Sequence, residues 1–254
     1  MSRYFIEVAY MGTRYSGFQI QLNANTIQAE ISRALKIFFN KDFELTGSSR
    51  TDAGVHALQN FFHIDTDIEI TKTCIYNLNA LLPYDIVIKD IFETKPGAHC
   101  RFDAVARTYH YQIIRFKNPF YFGRAYYYPF AINIDLLHEM AAVIKEHNNF
   151  TSFSKKKTQV KSFNCNIECS RWIIKDNLWC YEVKANRFLR GMVKGLVGTM
   201  LRVAKNKGDS FELTNILKNT DSSAADFSVS SGGLILTAVE FNNNIIKIQT
   251  ENLA

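Results

Sequence analysis

The segment Arg50-Thr51-Asp52-Ala53-Gly54-Val55-His56-Ala57 puts a guanidinium and a carboxylate two residues apart in a stretch whose composition reads as a loop. An arginine that close would hold Asp52 ionised and fix its orientation. An anchored carboxylate at a strand edge can act as a nucleophile or as a base. Aspartate in such a loop also serves, more ordinarily, as a turn or cap residue. His56, beside a strand, reads as structural. No second carboxylate and no serine–histidine pair stands near Asp52, so a two-carboxylate or triad mechanism has no partner residue. A hydrolase built on Asp52 and His56 lacks a second acid for the same reason.

Basic residues form the other candidate set. Arg187, Arg190 and Lys194 are spaced i, i+3, i+7 and would share one helix face, as a phosphate-binding stripe or as a solvated one. Lys155, Lys156, Lys157 and Lys161 cluster, as do Arg202, Lys205 and Lys207. Such clusters bind phosphates without reading sequence, or are merely solvated. The 5 cysteines, Cys74, Cys100, Cys165, Cys169 and Cys180, are odd in number and contain no Cys-x-x-Cys. With 6 histidines no structural zinc spacing can be assembled, and free thiols in a reducing cytoplasm are expected.

The elements that must position these residues follow from periodicity. Tyr4–Tyr10 reads as a strand, and Thr26 caps a helix with Ile27, Ile31, Ala34, Leu35 and Phe38 on one face. Strands are expected at Phe43–Thr46, Phe61–Asp65 and Asp85–Ile91, with a helix over Lys72–Leu82 stopped by Pro83. The order β-α-β-β-α-β is that of a ferredoxin-like unit. The second half is similar but looser. It has a strand at Arg107–Ile114, a helix at Ile134–Ile144, strands around Cys165–Ile173 and Leu178–Val183, a helix over Phe188–Val203, and late strands at Leu234–Phe241 and Ile245–Ile248. The fold class expected is α+β: two ferredoxin-like units with antiparallel sheets, an N-terminal domain over 1–104 and a C-terminal one over 105–254.

Length and charge fit this division. The chain has 254 residues, enough for two modest domains, with 30 Lys+Arg against 24 Asp+Glu and a net charge of +6. That balance is a mild hint of an anionic partner, or of none. No apolar run approaches the roughly 18 residues that span a bilayer. The first residues lack the order of a signal peptide and enter a strand pattern directly.

The octapeptide resembles the signature of the TruA family of tRNA pseudouridine synthases, Gly/Ser-Arg-Thr-Asp-x-Gly-Val-His-Ala. Five further blocks resemble that family in the same order. They are Ala9–Gln19 with the helix start Thr26–Glu30, His99–Ala104, Ala106–Tyr111, Phe150–Phe153 and Asn186–Lys194. The resemblance implies a pseudouridine synthase fold around a central RNA-binding cleft. It implies Asp52 as the nucleophile on a uridine of the tRNA anticodon stem-loop, attacking C6 of the base or C1′ of the ribose. Tyr109 matches the tyrosine packed on the target base, and Tyr111, two residues on, shares its strand face. Arg50 matches the arginine that holds the flipped base or its vacated place. Lys194 stands where the family has an arginine paired with the aspartate. Lysine keeps the charge but not the two-pronged fork, and Arg190 could share the role. Arg187, Gly54 and His56 complete the residues implied at the substrate. Tyrosine in a strand is also commonly a half-buried core residue.

Besides Lys194, three positions depart from the family pattern. Met11 replaces an aspartate, Phe18 a tryptophan, and Ile235 an aromatic; the first two lie in a loop expected near RNA. The resemblance implies no metal, no cofactor, no membrane, a cytoplasmic location, tRNA as partner, and a homodimer with tRNA across both subunits. An RNA-binding protein with a dead site is the competing class. The retention of Arg50, Asp52 and Tyr109 speaks against it.

Overall fold

The run at the start of the chain forms β1 (Ser2–Tyr10). Thr26 then caps α1 (Ile27–Phe39), its hydroxyl accepting from the Ala29 amide at 3.3 Å. The helix buries Ile27, Ile31, Ala34 and Leu35 and ends at Asn40 in the left-handed conformation, φ +51°. β2 (Thr46–Gly47), β3 (His56–Thr66), α2 (Cys74–Leu81) and β4 (Ile86–Glu93) follow. β1 pairs antiparallel with β3 and β4, and β2 with β3, giving the order β4-β1-β3-β2 of a ferredoxin-like unit. The β1–β3 ladder is interrupted once: Val8 faces Asn60, but Tyr10 faces Ala57.

The strand expected over 43–46 shrinks to Thr46–Gly47. The Gln28 side-chain amide takes the Leu45 carbonyl at 2.8 Å, and Phe43 turns edge-on to Phe39, 5.5 Å between centroids. The Leu45 carbonyl is thereby taken from a ladder.

Next come β5 (Ala104–Ile114), the short β6 (Tyr126–Tyr127), α3 (Ile134–Lys145), β7 (Ile167–Lys175), β8 (Leu178–Ala185), α4 (Met192–Lys205), α5 (Ser210–Asn219) and β9 (Leu234–Phe241). β8 lies antiparallel between β5 and β7, and β9 neighbours β5, so the order is β9-β5-β8-β7. With β6 set aside, this repeats the connectivity of the first half. The computed structural model describes residues 1–155, 160–242 and 245. The described residues divide into two compact units: Met1–Val105 together with those from Ala238 onward, and those of Ala106–Thr237.

Phe5, Ile6, Ile31, Leu35, Phe62 and Ile64 are fully buried in the first unit, and Tyr111, Phe150, Phe153, Tyr181, Leu196 and Met200 in the second. Among the described residues no helix is long and apolar enough to cross a membrane.

Two expectations for the second unit change. The helix expected from Phe188 begins at Met192, because Gly191 sits at φ +75°, a left-handed conformation that stops the helix from running back through it. Arg187 and Arg190 therefore lie in the connection before α4 and do not share a helix face with Lys194. α5 was not anticipated; the Asp209 carboxylate caps it, accepting from the Glu212 amide at 3.0 Å. Lys156, Lys157 and, beyond Ile245, the strand expected at Ile245–Ile248 lie outside the described residues.

Candidate active site

In the first unit the β2–β3 connection, residues 48–55, carries Arg50, Asp52 and Gly54. With few ladder bonds of its own, it is held by side chains. Asn60, 0% exposed within β3, accepts from the Ser49 amide at 3.2 Å and donates to the Ser49 carbonyl at 2.9 Å and to the Tyr10 hydroxyl at 3.1 Å. Tyr10 in turn meets the Thr51 hydroxyl at 2.8 Å. The Thr51 carbonyl accepts from the Phe18 amide at 3.0 Å, and the Gly54 amide donates to the Tyr15 carbonyl at 3.3 Å. Tyr15 is itself fixed, its hydroxyl donating to Asp85 at 2.7 Å. Burial, with this hydrogen bond, holds the phenol pKa above its ordinary value. Thr51 and Gly54, on either side of Asp52, are thus locked from inside the unit, while Asp52 itself is half-buried.

The expected Arg50–Asp52 pairing is not formed: among the described residues of the first unit, no hydrogen bond or ion pair joins the two. Thr51 turns inward to Tyr10, so its neighbour Arg50 turns outward, exposed, along a pocket shared with Gln28 and Phe102. His56 is 3% exposed, and its Nδ1 accepts the Gly12 amide at 3.0 Å. It joins two loops. Gly12 approaches so closely that a Cβ there would lie 2.0 Å from the Val55 carbonyl oxygen. Phe18, expected near RNA, is a core residue: 2% exposed, stacked on Phe62 at 4.5 Å and pressed against Gly47. Met11 is 37% exposed.

In the second unit Tyr109 projects from β5, half-buried, with its ring edge-on to Phe188 at 5.0 Å. Tyr111 shares its face but is 0% exposed and donates its hydroxyl to the Ser230 carbonyl at 2.6 Å. That bond commits the phenol to the fold, and burial raises its pKa. Lys194, in the first turn of α4, donates to the Ser231 hydroxyl at 3.2 Å. Arg190 is exposed and its carbonyl accepts the Lys155 amide at 3.0 Å, while Arg187 is half-buried.

The positioning residues Tyr10, Tyr15, Asn60 and Asp85 escaped sequence reasoning. The available signal was Asn60, a residue type disfavoured in strands, directly before the apolar pair Phe61–Phe62 in β3.

Two successive units of one connectivity, with a carboxylate-bearing loop on the first, define a mixed α/β fold of the pseudouridine synthase kind. The family described as tRNA pseudouridine synthase matches residues 6–103 and 147–242, in both halves of the chain. A Bacteroides thetaiotaomicron protein named tRNA pseudouridine synthase A is 39% identical over 257 residues, covering 99% of this chain and 95% of that protein. The protein of that name from Bacteroides fragilis is 39% identical, covering 97% and 99%. That from Staphylococcus aureus strain MRSA252 is 30% identical, covering 95% and 93%. The chain belongs to the tRNA pseudouridine synthase family, a class of isomerases.

Proposed function

We propose that this protein isomerises uridine to pseudouridine in the anticodon stem-loop of tRNA, at positions 38–40, with Asp52 as the nucleophile. The observation that carries the reading is a half-buried carboxylate, joined to Arg50 by no hydrogen bond or ion pair among the described residues, set in a loop whose flanking residues are fixed by buried hydrogen bonds. Pre-fixed geometry of this kind lowers the cost of reaching an attack distance.

Asp52 adds to C6 of the uracil or to C1′ of the ribose. The N1–C1′ bond breaks, the uracil turns, and C5 bonds to C1′. The proton on C5 leaves to a base and the aspartate is released. N1 takes up a proton in place of the one lost from C5, so the composition of the uridine is unchanged and nothing is oxidised; the chemistry requires neither metal nor cofactor. Tyr109 is the base, since Tyr111 is committed to Ser230. Arg50 holds the extruded base or its vacated place. Lys194 supplies the positive charge that partners Asp52, and Arg187 and Arg190 hold phosphates nearby. Gly54 and His56 shape the Asp52 loop. The protein works in the cytoplasm as a homodimer with tRNA lying across both subunits.

The test uses tRNA carrying tritium on C5 of uridine. Asp52→Ala should lower tritium release by about 10⁴-fold or more while tRNA binding survives. Full release by that variant would overturn the assignment. No release by the native chain, with binding intact, would favour an RNA-binding role.

A further inference from the structure

Phe102 sits at the tip of the turn after Ala98, 74% exposed. A single exposed aromatic is ordinary, but the scaffolding beneath this one is not. His99 Nδ1 accepts the amides of Arg101 and Phe102 at 3.1 and 3.4 Å, and the His99 amide donates to Asp103 at 2.7 Å. The His99 ring lies 4.2 Å from that of Phe102, and His63 packs edge-on behind it at 4.7 Å. The Cys100 thiol donates to the Thr46 carbonyl at 3.1 Å, tying the turn to β2. The result is a fixed aromatic face presented to solvent, with the Arg101 guanidinium 5.8 Å from its centroid.

Beside that face opens a pocket of about 330 Å³, lined by Gln19, Gln28, Thr46, Arg50, Arg101 and Phe102, with the Glu44 carboxylate also on its wall. The volume is at the lower end of those that hold small ligands. Two guanidinium groups suit a phosphate, the ring suits the face of a base, and the Gln19 amide and Thr46 hydroxyl suit a base edge, the Gln28 amide being held by Leu45 and Ile20. This is the chemistry of an unpaired nucleotide. Arg50 belongs at once to this pocket and, through Thr51, to the Asp52 loop.

We infer that this pocket receives an unpaired nucleotide of the substrate RNA next to the target uridine, its base stacked on Phe102 and its phosphate held by Arg50 and Arg101. The inference rests on the proposed function and adds a second recognition point to it. Stacking on an exposed ring should contribute to binding and not to the bond-making steps.

The experiment measures tritium release and tRNA binding with the full chain and a tRNA transcript. Phe102→Ala should raise KM about 10-fold with kcat within about twofold of native, a split that a general folding defect does not give. Phe102→Trp should restore KM, and its fluorescence should be quenched by tRNA beyond any change in the native chain. Arg101→Ala should weaken binding and reduce its dependence on log salt by about one phosphate contact. An unchanged KM in Phe102→Ala, or no quenching of Phe102→Trp, would overturn the inference. If the native chain releases no tritium yet tRNA still quenches Phe102→Trp, the pocket stands and the isomerase reading falls.

Discussion

The two units share a connectivity and differ in what they do with its central hairpin. In the second, β7 (9 residues) and β8 (8 residues) pair along their length and close through Asp176–Asn177, with Asp176 at φ +44°. In the first, the corresponding strand β2 keeps 2 residues, and residues 48–55 intervene before β3. A fully paired hairpin satisfies its own backbone but has no chain to spare for a loop. An opened one presents a loop and leaves backbone groups that must be satisfied in another way. Asn60 takes that part, bonding both the amide and the carbonyl of Ser49. Presenting a loop and pairing a ladder thus compete for the same stretch of chain.

The sharpest way to break this comparison, after removal of Asp52 itself, is at Gly12. Gly12→Ala drives a Cβ into the Val55 carbonyl, so it should cost about 3 kcal/mol and, by shifting the loop, about 100-fold in tritium release. Asp176→Gly, at the closed hairpin, should leave stability within about 0.5 kcal/mol and activity unchanged. Comparable activity in the two variants would show that the loop tolerates displacement.

Asn60→Ala comes next. It strands two buried backbone groups and should lower unfolding free energy by about 3 kcal/mol, measured in urea, with activity reduced in folded protein. In the second unit Ser170→Ala removes one hydroxyl contact, 2.8 Å from the Tyr181 hydroxyl, and should cost about 1 kcal/mol with activity kept. Equal losses in the two variants would count against a special role for Asn60.

The last effect is confined to acid. Burial, assisted by Arg3 and His99, lowers the His63 pKa to about 4. In the unfolded chain it titrates near about 6.5. Between these values the unfolded state binds more protons, so stability present above the unfolded pKa is lost as pH falls towards 4. The loss is at most about 3 kcal/mol. Glu182 behaves differently. Burial pushes its pKa up, but hydrogen bonds from Cys169 and His110 and the charge of Arg171 outweigh that and hold it below the ordinary value. Its contribution is lost only as pH falls below the usual carboxylate range. Melting temperatures of His63→Asn should therefore flatten between pH 6.5 and 4, and those of Glu182→Gln only at lower pH. A native acid slope in His63→Asn would sink this account.

Much of the molecule was legible because local signals agreed with the final packing. Thr26 and the Ile27–Ile31–Leu35 stripe foretold α1, and the two β-α-β-β-α-β orders foretold the repeated connectivity. The Arg50–Ala57 octapeptide located the loop. What failed did so for non-local reasons. The basic i, i+3, i+7 spacing spans Gly191, whose left-handed backbone places Arg187 and Arg190 off the helix. Phe18 sits in a glycine-bearing polar segment but folds inward onto Phe62. The Arg50–Asp52 adjacency suggested an ion pair, yet the intervening Thr51 is claimed by Tyr10, a residue 41 positions away. α5 could have been found: Asp209 and Glu212 form the acidic start of a capped helix.

The interruption in the β1–β3 ladder has a further consequence. Between Val8 and Tyr10 the first strand advances by two residues while β3 advances by three, from Ala57 to Asn60. The sheet and the loop are therefore out of step by one residue, and that offset brings Tyr10 to Thr51 and keeps Asn60 within reach of Ser49. A β3 shortened at Leu58 would pair without interruption and make a more regular sheet. It would also draw His56, and the loop before it, along the strand by one residue rise, about 3.3 Å. The irregularity works as a gauge: the length of a strand sets where a carboxylate stands.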